Sequence, residues 1–251
     1  MSPLAVSLIV FAVVMAGVLI GAFLRNRLPQ HHLADDTKDV VRLGTGLIGT
    51  IAALVLGLLI ASANSSYDAQ SGEVRRLTAN IILLDQLLAQ YGPEARPARD
   101  LMRRAIDPLI ERIWRENRSP SAVQAPFVAT AAAEEAFREI QMLAPSSEVQ
   151  RAFKARAIDL SNDLAQTRLL LFEQADSAIP LPFLAVLVFW LAIIFSSFSL
   201  FSRLNPIAVA ALLVFALSAS GAIFLILELS QPFSGLMQIS STPLRNALAP
   251  L

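Results

Sequence analysis

Four apolar runs, each about 20 residues long, constrain this chain more than any other feature. They are Leu4 to Leu24, Leu43 to Ala63, Ile179 to Phe201 and Ile207 to Leu229. At a rise of about 1.5 Å per residue, each crosses a hydrocarbon core of roughly 30 Å. None contains Lys, Arg or Asp, whose insertion at the bilayer centre costs about 2.5 to 3.5 kcal/mol apiece. A soluble protein of 251 residues rarely builds one uncharged helix of this length, and here it would need four. The chain therefore reads as an all-α membrane protein. Residues 1–63 form a first transmembrane hairpin and 64–178 a helical extramembrane domain between the second and third spans. Residues 179–229 form a second hairpin, and 230–251 a short helical tail.

Charge and cysteine content remove several function classes. Twenty basic residues balance twenty acidic ones, so nothing points to nucleic acid, and no block of like charge reads as a polybasic lipid anchor. Without cysteine there is no disulfide, thiolate zinc site, iron–sulfur cluster or Cys nucleophile. The first run lacks a basic leader and is too long for a signal-peptide core, so it reads as a retained span. Arg25, Arg27, Lys38 and Arg42 lie between the first two spans and Arg203 between the last two. By the positive-inside rule both turns face the cytoplasm, with the termini and the middle region outside.

The middle region reads as helices. Val74, Leu77, Ile81, Leu84, Leu88 and Tyr91 recur in steps of three and four, the spacing of one helix face, before Gly92-Pro93 stops the pattern. A second helix is expected from Arg96 to about Asn117, with Leu101, Ile106, Leu109, Ile110 and Ile113 on its apolar face, a kink at Pro108 and an end at Ser119-Pro120. Ala131 to Met142 forms a third. Pro145 to Glu148 opens a fourth, with Phe153, Ala157, Leu160, Leu164 and Leu171 on one side. The second span and its successor are expected to form a nearly continuous rod, as are this fourth helix and the third span. In the tail, Thr242 caps and Pro243 opens a short helix whose apolar residues are Leu244, Ala247 and Leu248. It is expected to lie against the membrane or the helical middle.

Several patterns resemble functional motifs without their context. Gly44 to Gly49 spells G-x-G-x-x-G, but no strand precedes it, so close helix packing explains it better than a dinucleotide. Gly17 and Gly21 form G-x-x-x-G on the first span, again a packing signature. His31 and His32 near Asp35 and Asp36 read as a solvated loop rather than a metal site, with Asp36 capping the next helix. No nucleophile set or phosphate loop appears, so no enzyme activity, metal or cofactor is expected.

The second span carries the candidate chemistry. At about 100° per residue, Gly46, Thr50, Ala53, Gly57, Ala61 and Asn64 fall on one narrow stripe that continues into Asp39 upstream and Asp68 downstream. Such a small, polar stripe is either a seam for a neighbouring helix or the wall of a water-filled path within a ring of identical helices. The two carboxylates favour the second, because acidic rings at pore mouths concentrate cations. Leu54 and Leu58 are candidate gating residues. Glu228, at the end of the fourth run, is the only acid associated with a span. It reads as an anchored end or an arginine partner, or as a functional acid.

A family resemblance rests on several stretches. They include Arg27-Leu28-Pro29, Val41-Arg42-Leu43-Gly44, Ala53 to Ile60, Leu84-Asp85, Tyr91-Gly92-Pro93-Glu94, Phe189-Trp190-Leu191, Ala222 to Glu228, Pro232-Phe233 and Ile239-Ser240-Ser241. The chain resembles the bestrophin-like domain family of bacterial membrane proteins. The resemblance implies a homo-oligomer, a pentamer in bestrophins proper, in which each subunit supplies four membrane helices and the second lines an ion pore. It also implies a cytosolic helical domain, opposite to the sidedness the charges suggest, in the bacterial inner membrane. The second span has no Phe, Tyr or Trp between Arg42 and Asn64, so the aromatic constriction of bestrophin pores has no counterpart here. The expected partners are further copies of the chain, membrane lipid and small inorganic ions. The alternative is a non-conducting membrane scaffold or sensor.

Overall fold

The computed structural model of the chain describes residues 2–29, 35–115, 130–175, 181–202 and 205–247. Its helices are α1 (Pro3–Arg27), α2 (Asp35–Tyr91), α3 (Arg96–Arg115), α4 (Ala131–Met142), α5 (Glu148–Ala175), α6 (Leu181–Phe201), α7 (Pro206–Leu229) and α8 (Thr242–Arg245). A 3-10 turn, Pro93–Ala95, joins α2 to α3. No strand occurs among the described residues. Four helices, α1, α2, α6 and α7, are long and apolar enough to cross a membrane.

The chain divides into two compact units, residues 1–65 with 178–230 and residues 66–177 with 231–251. In the first, α1 packs along α6 and against α7. Its core joins Val10, Val14 and Val18 of α1, Ala52 of α2, Leu187, Ile194 and Phe195 of α6, and Leu212, Ala216 and Ile223 of α7. The close fit of α1 to α6 depends on two glycines. A methyl added at Gly17 would lie 2.7 Å from the Ala192 carbonyl oxygen, and one at Gly21 would overlap that of Ser196. The G-x-x-x-G spacing thus lets two helix backbones approach where lipid offers no hydrophobic incentive to associate. Helix starts are set by side chains: Ser2 Oγ accepts from Ala5 N–H at 3.3 Å, and Asn205 Oδ1 from Ala208 N–H at 2.7 Å.

The second unit is a bundle. Val74, Leu77, Ile81, Leu84, Leu88 and Tyr91 of α2 are all buried, together with Ile106, Ile110 and Ile113 of α3, Ile140 of α4 and Leu160 and Leu171 of α5. The Thr130 hydroxyl caps α4, and the Lys154 ammonium donates to the Gln141 and Leu143 carbonyls at 2.7 and 2.8 Å, satisfying its C-terminal end. The Gln150 side chain donates to the Tyr91 carbonyl at 2.9 Å, holding the start of α5 beside the end of α2. The C-terminal stretch packs on α3. Trp114 Nε1 donates to the Ile239 carbonyl at 2.8 Å, its ring meets Phe233 edge-on at 5.5 Å, and Leu244 is fully buried.

Several local expectations are corrected. The α2 helix already includes Asp35, so Asp36 sits inside it rather than at its cap. The kink expected at Pro108 is not among these corrections: the proline lies inside α3, which continues past it to Arg115. The cap position of α8 is Ser241, without a side-chain bond, and Thr242 is its first residue. His31, His32, Ser119-Pro120, Arg203 and Leu248 lie outside the described residues.

Candidate functional site

The membrane part of α2 presents its faces unequally. Thr45, Ala52 and Ala63 are buried, and Ile48, Leu56 and Leu59 pack against the core of α1, α6 and α7. These residues mark the side turned into the subunit. Gly46, Thr50, Ala53, Gly57, Ala61 and Asn64 are all exposed. A methyl added at Gly44, Gly46, Gly49 or Gly57 would meet nothing within 4 Å. At 100° per residue the stripe is centred about 120° or more from the buried face, so it points away from the core shared with α1, α6 and α7. The close helix packing expected of Gly44 to Gly49 is therefore not made within the chain, where an added methyl at Gly44, Gly46 or Gly49 finds open space. Thr50 Oγ1 donates to the Gly46 carbonyl at 3.0 Å, which satisfies its hydroxyl locally.

A third face carries the bulk. Leu54 and Leu58 are each 70% exposed, with Leu47 beside them, about 60 to 100° round the helix from the stripe. Gly46 to Asn64 covers about 27 Å of helix, close to the thickness of a hydrocarbon core. Asp39 lies seven residues before that stretch and Asp68 four after it, on the same face and both exposed. Glu228 differs from them. It is only 4% exposed at the end of α7 and interacts with neighbouring protein groups. At the other end of the first unit, Arg25 donates to the Ser202 carbonyl and the Arg27 guanidinium sits 5.2 Å from the Phe23 ring centre. The first contact ties the basic end of α1 to the end of α6 and the second lies within α1; arginines at a span end suit the membrane–water interface.

Periodicity did not reveal everything in the extramembrane unit. The Arg99 guanidinium grips Asp85 through two 2.8 Å bonds. The only hint in the sequence is a charged pair flanking Gly92-Pro93. Four helices also line an open pocket of about 230 Å³, with Arg112 and Arg168 in its walls.

Four apolar spans, one of them exposing an acid-flanked glycine face, and a helical domain inserted between the second and third define a polytopic helical membrane protein. The sequence pattern of the Bestrophin-like domain matches residues 12–244, and the chain belongs to that family. Its fold is similar to crystal structures of a bacterial bestrophin homolog from Klebsiella pneumoniae. One single-substitution variant of that homolog aligns over 99% of this chain and 97% of its own, with a TM-score of 0.63 at 17% identity. Another aligns over 94% and 96%, with a TM-score of 0.58 at 17% identity. No curated protein matches the chain.

Proposed function

We propose that the protein is a homo-oligomeric ion channel of the bacterial inner membrane, a pentamer in which α2 from each subunit surrounds the axis. The observation that carries this reading is the division of labour on α2. One side packs into the subunit, while the side bearing Gly46, Thr50, Ala53, Gly57, Ala61 and Asn64 is exposed, with open space beside Gly46 and Gly57. A narrow, small and polar face about 27 Å long suits the wall of a hydrated path, and lipid gains nothing from it. Four spans are few for a single-chain transporter, which supports assembly. Membership of the Bestrophin-like family and the fold shared with the Klebsiella pneumoniae homolog point the same way.

Asp39 and Asp68 would place acidic rings beyond each end of the path and favour cations. Leu54 and Leu58 would close the path by dewetting after α2 rotates by about 60 to 100°. Glu228, buried at the end of α7, would act as a structural acid that anchors the end of its span.

Single cysteines test the reading. In purified protein reconstituted in bilayers, cysteines at Thr50, Gly57 and Asn64 react with water-soluble thiol reagents and block current, whereas cysteines at Ala52 and Ala63 do not react. Protection of the stripe in every condition, or particles with no central opening by electron microscopy, would make the stripe an intersubunit seam and the protein a scaffold.

A further inference from the structure

Leu236 is 80% exposed, more than any other large apolar side chain among the described residues, although it lies outside the four spans. The apolar residues closest to it in exposure, Ile207, Leu181 and Leu43, all belong to spans. The loop that carries Leu236 is closed on itself. Ile239 N–H donates to the Pro232 carbonyl at 2.7 Å, and Ser234 N–H to the Gln231 carbonyl at 3.1 Å. Between them Gly235 takes a φ of +88°, which side-chain-bearing residues rarely adopt. Pro232, Phe233, Ser234 and Ile239 are buried, with the Phe233 ring and the Ile239 carbonyl both held on Trp114. Gly235, Leu236, Met237 and Gln238 are exposed. A loop fastened at both feet thus holds two apolar side chains out instead of folding them onto the bundle.

Chain continuity and charge indicate what covers this tip. The 24 residues of α7, at about 1.5 Å each, cover about 36 Å, more than the roughly 30 Å of a hydrocarbon core, so Leu229 ends at or near the headgroup layer. Leu236 follows seven residues later, within about 25 Å of that end even along a fully extended chain. No charged residue occurs between Glu228 and Arg245, so no charge has to be dehydrated when the tip enters the interface. We propose that Leu236 and Met237 insert into the acyl–headgroup boundary of the bilayer from which α7 emerges, and fasten the C-terminal loop to the membrane surface. The partner is lipid, and the contact is apolar, so it needs no acidic headgroup. Two side chains fall far short of the about 800 Å² per partner that a stable protein interface buries, whereas a lipid surface requires no matching shape. Val149 makes the contrast: it is 61% exposed, but it stands within the Glu148–Arg151 ion pair and far along the chain from any span. The anchoring requires only that the spans cross a bilayer, so it is independent of conduction and of subunit number.

Because the chain has no cysteine of its own, a single nitroxide can be placed at each position. Leu236→Cys, Met237→Cys and Val149→Cys are spin-labelled in the full chain, in nanodiscs of neutral phosphatidylcholine. Each label is compared for collision with oxygen, which concentrates in lipid, and with a nickel chelate, which stays in water. The labels replacing Leu236 and Met237 are expected to favour oxygen over the chelate several-fold more than the label replacing Val149 does. Their depth should correspond to about 5 to 10 Å into the headgroup and acyl boundary. All three positions are exposed, so unfolding curves like that of the unlabelled protein are expected and show that the loop is intact. A label replacing Leu236 that collides freely with the chelate overturns the proposal. So does one shielded from both reagents, which would place another copy of the chain over the tip instead of lipid.

Discussion

Arg99 holds Asp85 in a two-pronged grip, Nε to Oδ1 and Nη2 to Oδ2, each 2.8 Å, with only 25% and 15% of the two side chains exposed. The pair closes the corner between α2 and α3, where Gly92 adopts a φ of +132° that side-chain-bearing residues rarely reach. Partial burial makes the grip stronger than a surface ion pair and makes either partner costly to leave alone. Asp85→Ala and Arg99→Ala are each expected to destabilise the protein by about 1.5 to 3 kcal/mol. The double variant should cost clearly less than the two losses combined. Chemical denaturation of the detergent-solubilised protein measures all three. Strictly additive losses would show that the two side chains act independently.

Glycines on α1 and α2 are predicted to respond in opposite ways. At Gly21 any side chain meets the Ser196 backbone, which cannot swing aside, so Gly21→Ala costs about 1 to 3 kcal/mol through overpacking. At Gly57 a methyl meets nothing in the chain and improves helix propensity, so Gly57→Ala leaves subunit stability unchanged or raises it by up to about 1 kcal/mol. Any effect of Gly57→Ala on oligomer size or single-channel conductance then arises between subunits. Thermal unfolding of both variants, with light scattering for Gly57→Ala, separates the two positions. Equal destabilisation would remove the distinction.

These two positions show how far the sequence alone can be read. Spans, helix order and the buried face from Val74 to Tyr91 are encoded locally, because periods of three and four repeat within a single helix. The stripe on α2 is legible for the same reason. Its surroundings are not, since Thr45, Ala52 and Ala63 are the same residue types as Thr50, Ala53 and Ala61. Hydropathy does not show which of two small-residue faces meets α1, α6 and α7. The grip of Arg99 on Asp85 spans a turn, and the pocket draws residues from four helices, so neither leaves a periodic trace.

Tyr91 offers a test that pH can read. Its ring is buried at the end of α2, its hydroxyl has no hydrogen-bond partner among the described residues, and its pKa is raised above 10.0 by burial and then by Glu94. A group held neutral in the folded state contributes stability that is complete below the unfolded value, near 10.0, and is lost as pH rises through the folded one. Tyr91→Phe is therefore expected to be neutral or slightly stabilising at pH 7, because it removes a buried donor that nothing satisfies. It should also flatten the decline in stability above about pH 10. Denaturation midpoints for both proteins between pH 7 and 11 give the comparison. A clear loss at pH 7 would mean that the hydroxyl is bonded in solution.

Selectivity is the remaining test, and it turns on two exposed carboxylates that occupy the glycine face of α2. If copies of α2 surround a path, Asp39 and Asp68 repeat once per subunit, and charges multiplied by symmetry raise the local cation concentration far more than one carboxylate does. Asp68→Asn is expected to move the reversal potential in a potassium chloride gradient towards the chloride value, and Asp39→Asn should add to that shift. Asp39→Asn should not alter subunit stability by more than about 0.5 kcal/mol, as is usual for exposed positions. Raising the ionic strength should shrink the effect, because exposed charges are screened over about 8 to 10 Å at physiological salt. A cation-to-anion ratio unchanged in the double variant would place the source of selectivity elsewhere and leave the two residues as solvated helix surface.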